Sequence, residues 1–330
     1  MQKHILVIRL SAIGDVAIAV PVLCNACEAN PEVQFTVLTK KHLAFLFPKR
    51  PNLSVLGIDT NRETKGLSGL WQLRQIIKQL AVTDIIDLHD VLRTRILQIL
   101  LWQTKWTRFD KARALKHQFI SSKQANAVVP TIERYQQAFV KAGLQMQNDF
   151  QFAGFEITQA QQHNVDVFAS YLPKPFIALA PFAAHASKSL PLEKIHQFIE
   201  ASNKPIILFA GGEEKDTVLA LCAQYSHVRH CYELGFAEQV ALMKFAAYMV
   251  AVDSSNMHLA ALQGVPLVSI WGATHPSLGF APVCKAQHKV VQLSRDAMPC
   301  RPCSVYGNKA CTNSQQYACL HNLSIEEFKL

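Results

Sequence analysis

Unbroken apolar runs alternate along the chain with segments whose apolar residues recur at helical spacing. The first run, residues 4–9 (HILVIR), ends in a polar, glycine-bearing turn, Ser11-Ala-Ile-Gly-Asp15. A short run apolar at every position predicts a strand covered on both faces, as in a parallel sheet. Residues 16–29 then read as a helix. Residues 34–38 (QFTVL), 55–58 and 84–88 (DIIDL) read as further strands, and residues 66–80, 91–102 and 131–142 as helices with one apolar side. Strands alternating with helices predict a parallel sheet with helices on both faces.

The pattern then restarts. Leu172-Pro-Lys-Pro175 is a turn-rich break, followed by strands at 176–180 (FIALA), 205–210 (PIILFA), 248–252 (YMVAV) and 266–271 (PLVSIW). Helices are expected at 193–201, 216–225, 238–246 and 256–262. The prediction is an α/β protein of two successive doubly wound units joined near 155–175, with domains at 1–165 and 166–330. Ligands of open α/β sheets bind beyond the carboxyl ends of the strands. Four polar clusters follow predicted strands: Ser11–Asp15, Ala183–Lys188, Gly211–Glu214 and Asp253–His258. All four are expected to line one cleft.

Composition narrows the class. A chain of 330 residues, half apolar and 17% charged, can bury large cores and is not disordered. No apolar run approaches the length needed to span a bilayer, and no cleavage-site pattern follows the first strand, so a cytosolic protein is expected. No G-x-G-x-x-G is present, which removes the usual dinucleotide fingerprint, and there is no P-loop. The net charge is +9. Between Arg93 and Lys123 eight basic residues (Arg93, Arg95, Lys105, Arg108, Lys111, Arg113, Lys116, Lys123) stand against one acid, Asp110. That bias suits an anionic partner or a solvated face. Clustered aromatic–basic platforms are lacking, which argues against nucleic acid.

Nine cysteines occur. Cys24, Cys27, Cys222, Cys231 and Cys284 are scattered and read as core thiols of a reduced protein, while Cys300, Cys303, Cys311 and Cys319 fall within twenty residues. Four such thiolates could fill a tetrahedral site holding a structural zinc; buried thiols or a redox-dependent disulfide pair are the other readings.

The clusters carry recognisable chemistry. At Asp253-Ser254-Ser255 a strand ends and a helix begins, so free backbone N–H groups offer a phosphate site. Asp253 and His258 flank it and could hold sugar hydroxyls; an ordinary capped helix is the plainer reading. Lys188, in a strand-to-helix loop, can neutralise a leaving diphosphate or simply be a surface lysine. Gly211 and Gly212 let a ligand approach the backbone, with Glu213 or Glu214 available to a ribose. Asp15 lies near a helix N-terminus, which favours a carboxylate, and such a group can accept a proton from an attacking hydroxyl or act only as a cap.

The ordered set Arg9-Leu-Ser-Ala-Ile-Gly-Asp15-Val, Lys188-Ser-Leu-Pro191, Asp253-Ser-Ser-Asn-Met-His258-Leu-Ala and Trp271-Gly-Ala-Thr-His-Pro276 resembles the family 9 glycosyltransferases, the ADP-heptose:lipopolysaccharide heptosyltransferases. The resemblance runs over nearly the whole chain. It implies a GT-B fold of two Rossmann-like domains facing across a cleft, with acceptor on the first and nucleotide-sugar donor on the second. It also implies inverting transfer without a catalytic metal or cofactor. Carried onto this sequence, Asp15 is the general base and Lys188 meets the donor diphosphate. Asp253 holds heptose hydroxyls, the N–H groups of Ser254 and Ser255 hold phosphates, and His258 supports their loop. A glutamate after Gly212, either Glu213 or Glu214, holds the ribose, and Ala183 and Ala184 offer only backbone to phosphate. Arg9, Ser11, Arg93 and Arg95 are expected to meet the acceptor.

The implied partners are an ADP-sugar and a phosphorylated, lipid-linked saccharide, with peripheral contact to anionic lipid at the cytoplasmic face of the inner membrane. Four positions depart from the family pattern: Ser255 stands where a glycine is usual, Leu190 precedes Pro191 where an aromatic is usual, and Ala183 and Ala184 replace hydroxyl residues. A different nucleotide sugar, or a catalytically silent sugar-nucleotide-binding protein, are the competing readings.

Overall fold

The computed structural model describes residues 3–60, 66–122 and 126–330. The chain divides into two compact units, one of Met1–Lys111 with Thr131–Glu156, the other of Ala112–Pro130 with Ile157–Leu330.

In chain order the first stretch carries β1 (His4–Ile8), α1 (Ile13–Ala29), β2 (Gln34–Lys40), β3 (Leu53–Ile58), α2 (Gly66–Gln79), β4 (Asp84–Asp87), α3 (Leu92–Leu100) and β5 (Lys105–Arg108). Next come α4 (Arg113–Ser121), which belongs to the second unit, and α5 (Thr131–Lys141), which returns to the first. The first sheet is wholly parallel, ordered β3-β2-β1-β4-β5. Central β1 is buried from Ile5 to Ile8, as its unbroken apolar run requires. Leu6, Ile8, Leu38, Ile58 and Ile85 from the strands pack with Leu73, Ile77 and Leu97 from α2 and α3. Each such side chain contributes roughly 1.5–3 kcal/mol on leaving water.

The second unit continues with α6 (Gln159–Ser170), β6 (Ile177–Ala180), α7 (Leu192–Glu200), β7 (Ile206–Leu208), α8 (Lys215–Gln224), β8 (Val228–His230) and α9 (Phe236–Leu242). It ends with β9 (Tyr248–Val252), α10 (Ser255–Leu262), β10 (Leu267–Ile270), β11 (His288–Val291) and α11 (Ala318–His321). Its six parallel strands are ordered β11-β10-β9-β6-β7-β8. Leu179, Val250, Val252, Val268 and Ile270 form its strand core, with Ile195 and Phe198 from α7 and Leu320 and Phe328 from the C-terminal segment.

Both sheets reverse their winding direction once, between β1 and β4 in the first and between β6 and β9 in the second. Loops leaving neighbouring strands diverge there and open a crevice at the carboxyl edge. Ser11–Asp15 follows β1, Ala183–Lys188 follows β6 and Asp253–His258 follows β9, so three of the four polar clusters sit at these reversals.

The structure adds elements that the pattern does not announce. β5 and β11 are edge strands, and β5 (KWTR) exposes Lys105 and Arg108. α6 buries only Val165 and Ala169 among polar residues. The helix expected at 238–246 begins at Phe236, ends at Leu242 and continues as a 3-10 turn, Met243–Phe245. Among the described residues no helix is long and apolar enough to cross a membrane.

Candidate active site

In the first unit the site is built at the β1–β4 reversal. Asp15 is the third residue of α1, and its Oδ2 accepts the Ala12 N–H at 3.3 Å. The same oxygen lies 2.5 Å from Arg9 Nη2. Arg9 is buried, donates through Nη1 to the Leu88 carbonyl and lies over the Tyr135 ring at 5.8 Å. Burial works against the Arg9 charge, but Tyr135, Asp15 and Asp87 outweigh it and hold the guanidinium above its ordinary value.

Ser11 Oγ shares a hydrogen bond of 3.3 Å with His89 Nε2. Burial first, then the charges of Arg9 and Lys111, push His89 down to about 3, so its imidazole is neutral. Asp87, fully buried at the end of β4, accepts the N–H groups of His89 and Asp90, both at 2.9 Å, and pins this turn. Arg93 adds to the positive field at His89. Arg95 instead donates through Nε to Asp90 at 3.0 Å. Arg9, Ser11, Asp15 and Arg93 thus gather around His89, a residue that the sequence reading passed over. Its signal was the polar Asp87-Leu-His-Asp90 following an apolar strand.

The remaining cations of the basic stretch disperse. Lys105 lies 3.8 Å from Asp84 and Lys111 donates to the Asp90 carbonyl at 2.6 Å. Lys116 is buried in the second unit with its ammonium 4.1 Å from the Phe280 ring centre and 5.6 Å from that of Tyr306. Its charge faces aromatic rings rather than solvent, which removes it from the expected anionic contact. Lys123 lies outside the described residues.

In the second unit the β6–β9 reversal brings together residues far apart in sequence. Lys188 Nζ lies 3.2 Å from Asp253 Oδ2, with side chains only 16% and 9% exposed. Buried Thr274, after β10, donates its hydroxyl to the same oxygen at 2.7 Å. Ser254 caps α10 and Ser255 opens it, so their N–H groups point out of the helix N-terminus beside this pair. His258 is buried one turn on. Ala183 N–H donates to Ser189 Oγ at 2.8 Å, which binds the start of the Lys188 loop to its end.

Gly212–Glu214 is a 3-10 turn after β7. Glu214 folds back over Gly211, where an added Cβ would meet its Oε2 at 3.0 Å, while Glu213 is exposed. Burial, then Glu214, pushes the Tyr232 phenol up to about 12, and that phenol donates to the Gly211 carbonyl at 3.0 Å.

The C-terminal segment fixes the Lys188 loop from beneath. Arg301 is buried and donates to the carbonyls of Gly272 (2.6 Å), Trp271 (2.9 Å), Thr274 (3.2 Å) and Leu293, and to Gln292 Oε1 (2.9 Å). One guanidinium thereby clamps the loop that carries Thr274. Ser187 donates to the Gly307 carbonyl at 2.6 Å, and Gly307 sits at φ +84° directly against the Lys188 stem. A Cβ at Gly307 would lie 2.6 Å from Lys188 Cδ, and one at Gly272 would lie 2.5 Å from the Ser187 carbonyl. Neither Arg301 nor Gly307 carries a periodic or motif signal.

The four cysteines expected to hold a structural zinc lie in the second unit. Among the described residues no three His, Cys, Asp or Glu side chains are grouped to hold a metal ion. Cys300, Cys303, Cys311 and Cys319 are free thiols lining a small cavity that also admits Arg301. The guanidinium supplies positive charge there, and burial pushes the Cys319 thiol up to about 11.

Two parallel, doubly wound units of this kind, each with a polar constellation at its winding reversal, define the GT-B class of glycosyltransferase fold. The family model described as Glycosyltransferase family 9 (heptosyltransferase) matches residues 70–310, and the chain belongs to that family. It is 24% identical over 323 residues to lipopolysaccharide heptosyltransferase 1 of Pseudomonas aeruginosa, covering 94% of this chain and 87% of that one. The family 9 glycosyltransferase structure from Veillonella parvula superimposes with a TM-score of 0.76 at 20% identity, covering 99% and 95%. E. coli heptosyltransferase WaaC with ADP-2-deoxy-2-fluoro heptose does so with 0.62 at 19% identity, covering 89% and 95%.

Proposed function

We propose that this glycosyltransferase moves a heptose from an ADP-sugar to a phosphorylated, lipid-linked lipopolysaccharide core acceptor, with inversion at the anomeric carbon. The Lys188–Asp253 ion pair carries the reading. Lys188 is a nearly buried ammonium whose neighbouring carboxylate uses one of three N–H donors, which leaves others for diphosphate oxygens. The N–H groups of Ser254 and Ser255 add a second positive end. As the sugar–phosphate bond stretches, charge grows on the diphosphate where these donors sit, so they stabilise the transition state more than the ground state. Asp253 and Glu213 or Glu214 serve the heptose and ribose hydroxyls, and His258 supports the Ser254 loop.

Asp15 takes the proton of the acceptor hydroxyl as that hydroxyl attacks from the face opposite the diphosphate. Arg9 and the neutral His89 hold the Asp15 turn, and Arg93 and Arg95 meet acceptor phosphates. The charge on the leaving group is met by Lys188 and backbone donors, so the step as drawn uses no metal and no cofactor. The protein would act at the cytoplasmic face of the inner membrane.

Incubation with a panel of nucleotide sugars and extracted lipid-linked acceptor, read by mass spectrometry, tests the reading. A heptosylated product from ADP-heptose, with inverted configuration, is expected. A product formed only from another nucleotide sugar replaces the donor, and no product from any donor overturns the proposal.

A further inference from the structure

We propose that the α2–α3 face of the first unit is a docking surface for an anionic lipid bilayer. The inference rests on the reading that this unit receives a lipid-linked acceptor, and it names the surface that would bring the enzyme to it.

Helix α3 is apolar on two sides. Inward it buries Thr94 and Leu97. Outward it presents Leu92 and Ile99, seven residues and therefore only about 20° apart around the helix, and these are 75% and 72% exposed. Trp102, just past its end, is 75% exposed. Helix α2 repeats the arrangement, with Leu70, Leu73 and Ile77 inside and Leu67 and Trp71 exposed. The two helices are joined where Arg74 Nε donates to the Leu100 carbonyl at 2.9 Å, and Trp102 lines the groove there with Arg74 and Lys78. Exposed leucine and isoleucine side chains in such a row serve no core.

The charge on these helices identifies the occupant. Neither contains an aspartate or glutamate, whereas together they carry Arg74, Lys78 and Arg93, besides Arg95, which pairs with Asp90 just ahead of α3. A second copy packed about a two-fold axis would bring these cations against themselves. An anionic membrane supplies the opposite charge and also accepts the apolar row. Tryptophan and aliphatic side chains enter the boundary between headgroups and acyl chains, while long basic side chains reach the phosphates.

The full-length protein should sediment with vesicles of phosphatidylcholine mixed with phosphatidylglycerol, and bind at least about tenfold less to phosphatidylcholine alone or in high salt. Tryptophan emission should shift to the blue on binding and be quenched by brominated acyl chains. Ile99→Asp combined with Trp102→Ser should lower the partition coefficient at least about tenfold; Trp71→Ser is the second, milder variant. Both should transfer heptose to a deacylated, soluble acceptor at the rate of the unaltered protein. Equal vesicle binding by unaltered and variant protein, equal binding to neutral vesicles, or dimerisation abolished by the same variants without vesicle binding would each overturn the proposal. Inactivity of the unaltered enzyme on the deacylated acceptor would count against the transferase reading and leaves the vesicle result to judge the surface alone.

Discussion

Lys188 and Asp253 form a nearly buried ion pair of 3.2 Å between the loops that follow two adjacent strands, β6 and β9. Thr274 completes it by donating to the same carboxylate oxygen. Removing one member of a buried pair leaves the other uncompensated, at a cost of about 3–5 kcal/mol. Lys188→Gln should therefore lower both stability and turnover, the latter by about 10²–10³ as for other donors to a developing anion. Adding Asp253→Asn should recover much of the stability, because no lone charge then remains buried, without recovering turnover. Urea unfolding and single-turnover kinetics on the two variants separate the roles; recovery of turnover in the double variant would remove Lys188 from the chemistry.

Asp15 has a different signature. Its carboxylate is about one-third exposed and belongs to the first unit, whereas the donor groups belong to the second. Asp15→Asn should cut turnover by at least about 10², the lower end of general-base contributions, with ADP-sugar affinity nearly unchanged. Calorimetric titration of the donor beside steady-state rates gives both numbers. Near-normal turnover would exclude the base role.

Gly307 supports the Lys188 stem at a positive φ. Gly307→Ala combines backbone strain of about 1 kcal/mol with a Cβ pressed on Lys188. Gly66 also has positive φ, +68°, but nothing lies within 4 Å of an added Cβ. Gly66→Ala should thus lose only stability, while Gly307→Ala should also lose turnover. Equal turnover in the two variants would show that Gly307 does not position the lysine.

His89 makes stability depend on pH. The unfolded chain takes up the His89 proton near 6.5, whereas the fold delays uptake to about 3. Stability from this group is therefore complete above about 6.5 and is lost as pH falls from there towards 3. Within that window one extra proton on the unfolded chain gives a slope of about 1.4 kcal/mol per pH unit. His89→Asn should flatten the fall in urea midpoint between neutral and mildly acidic pH; an unchanged slope would assign the dependence elsewhere.

The run-and-spacing pattern of this chain determined two doubly wound parallel sheets and the polar loops after their strands. A central parallel strand must be apolar at every position, so β1, β6, β9 and β10 announce themselves. Edge strands β5 and β11 need apolar residues on fewer sides and passed unmarked, as did the largely polar α6. Only the tertiary structure decided that residues 112–130 join the second unit, that Arg301 clamps the loop bearing Thr274 and that Gly307 lies under Lys188. These contacts join residues tens to more than a hundred positions apart. Their geometry follows from which strands lie side by side, and strand order leaves no periodic trace in the sequence.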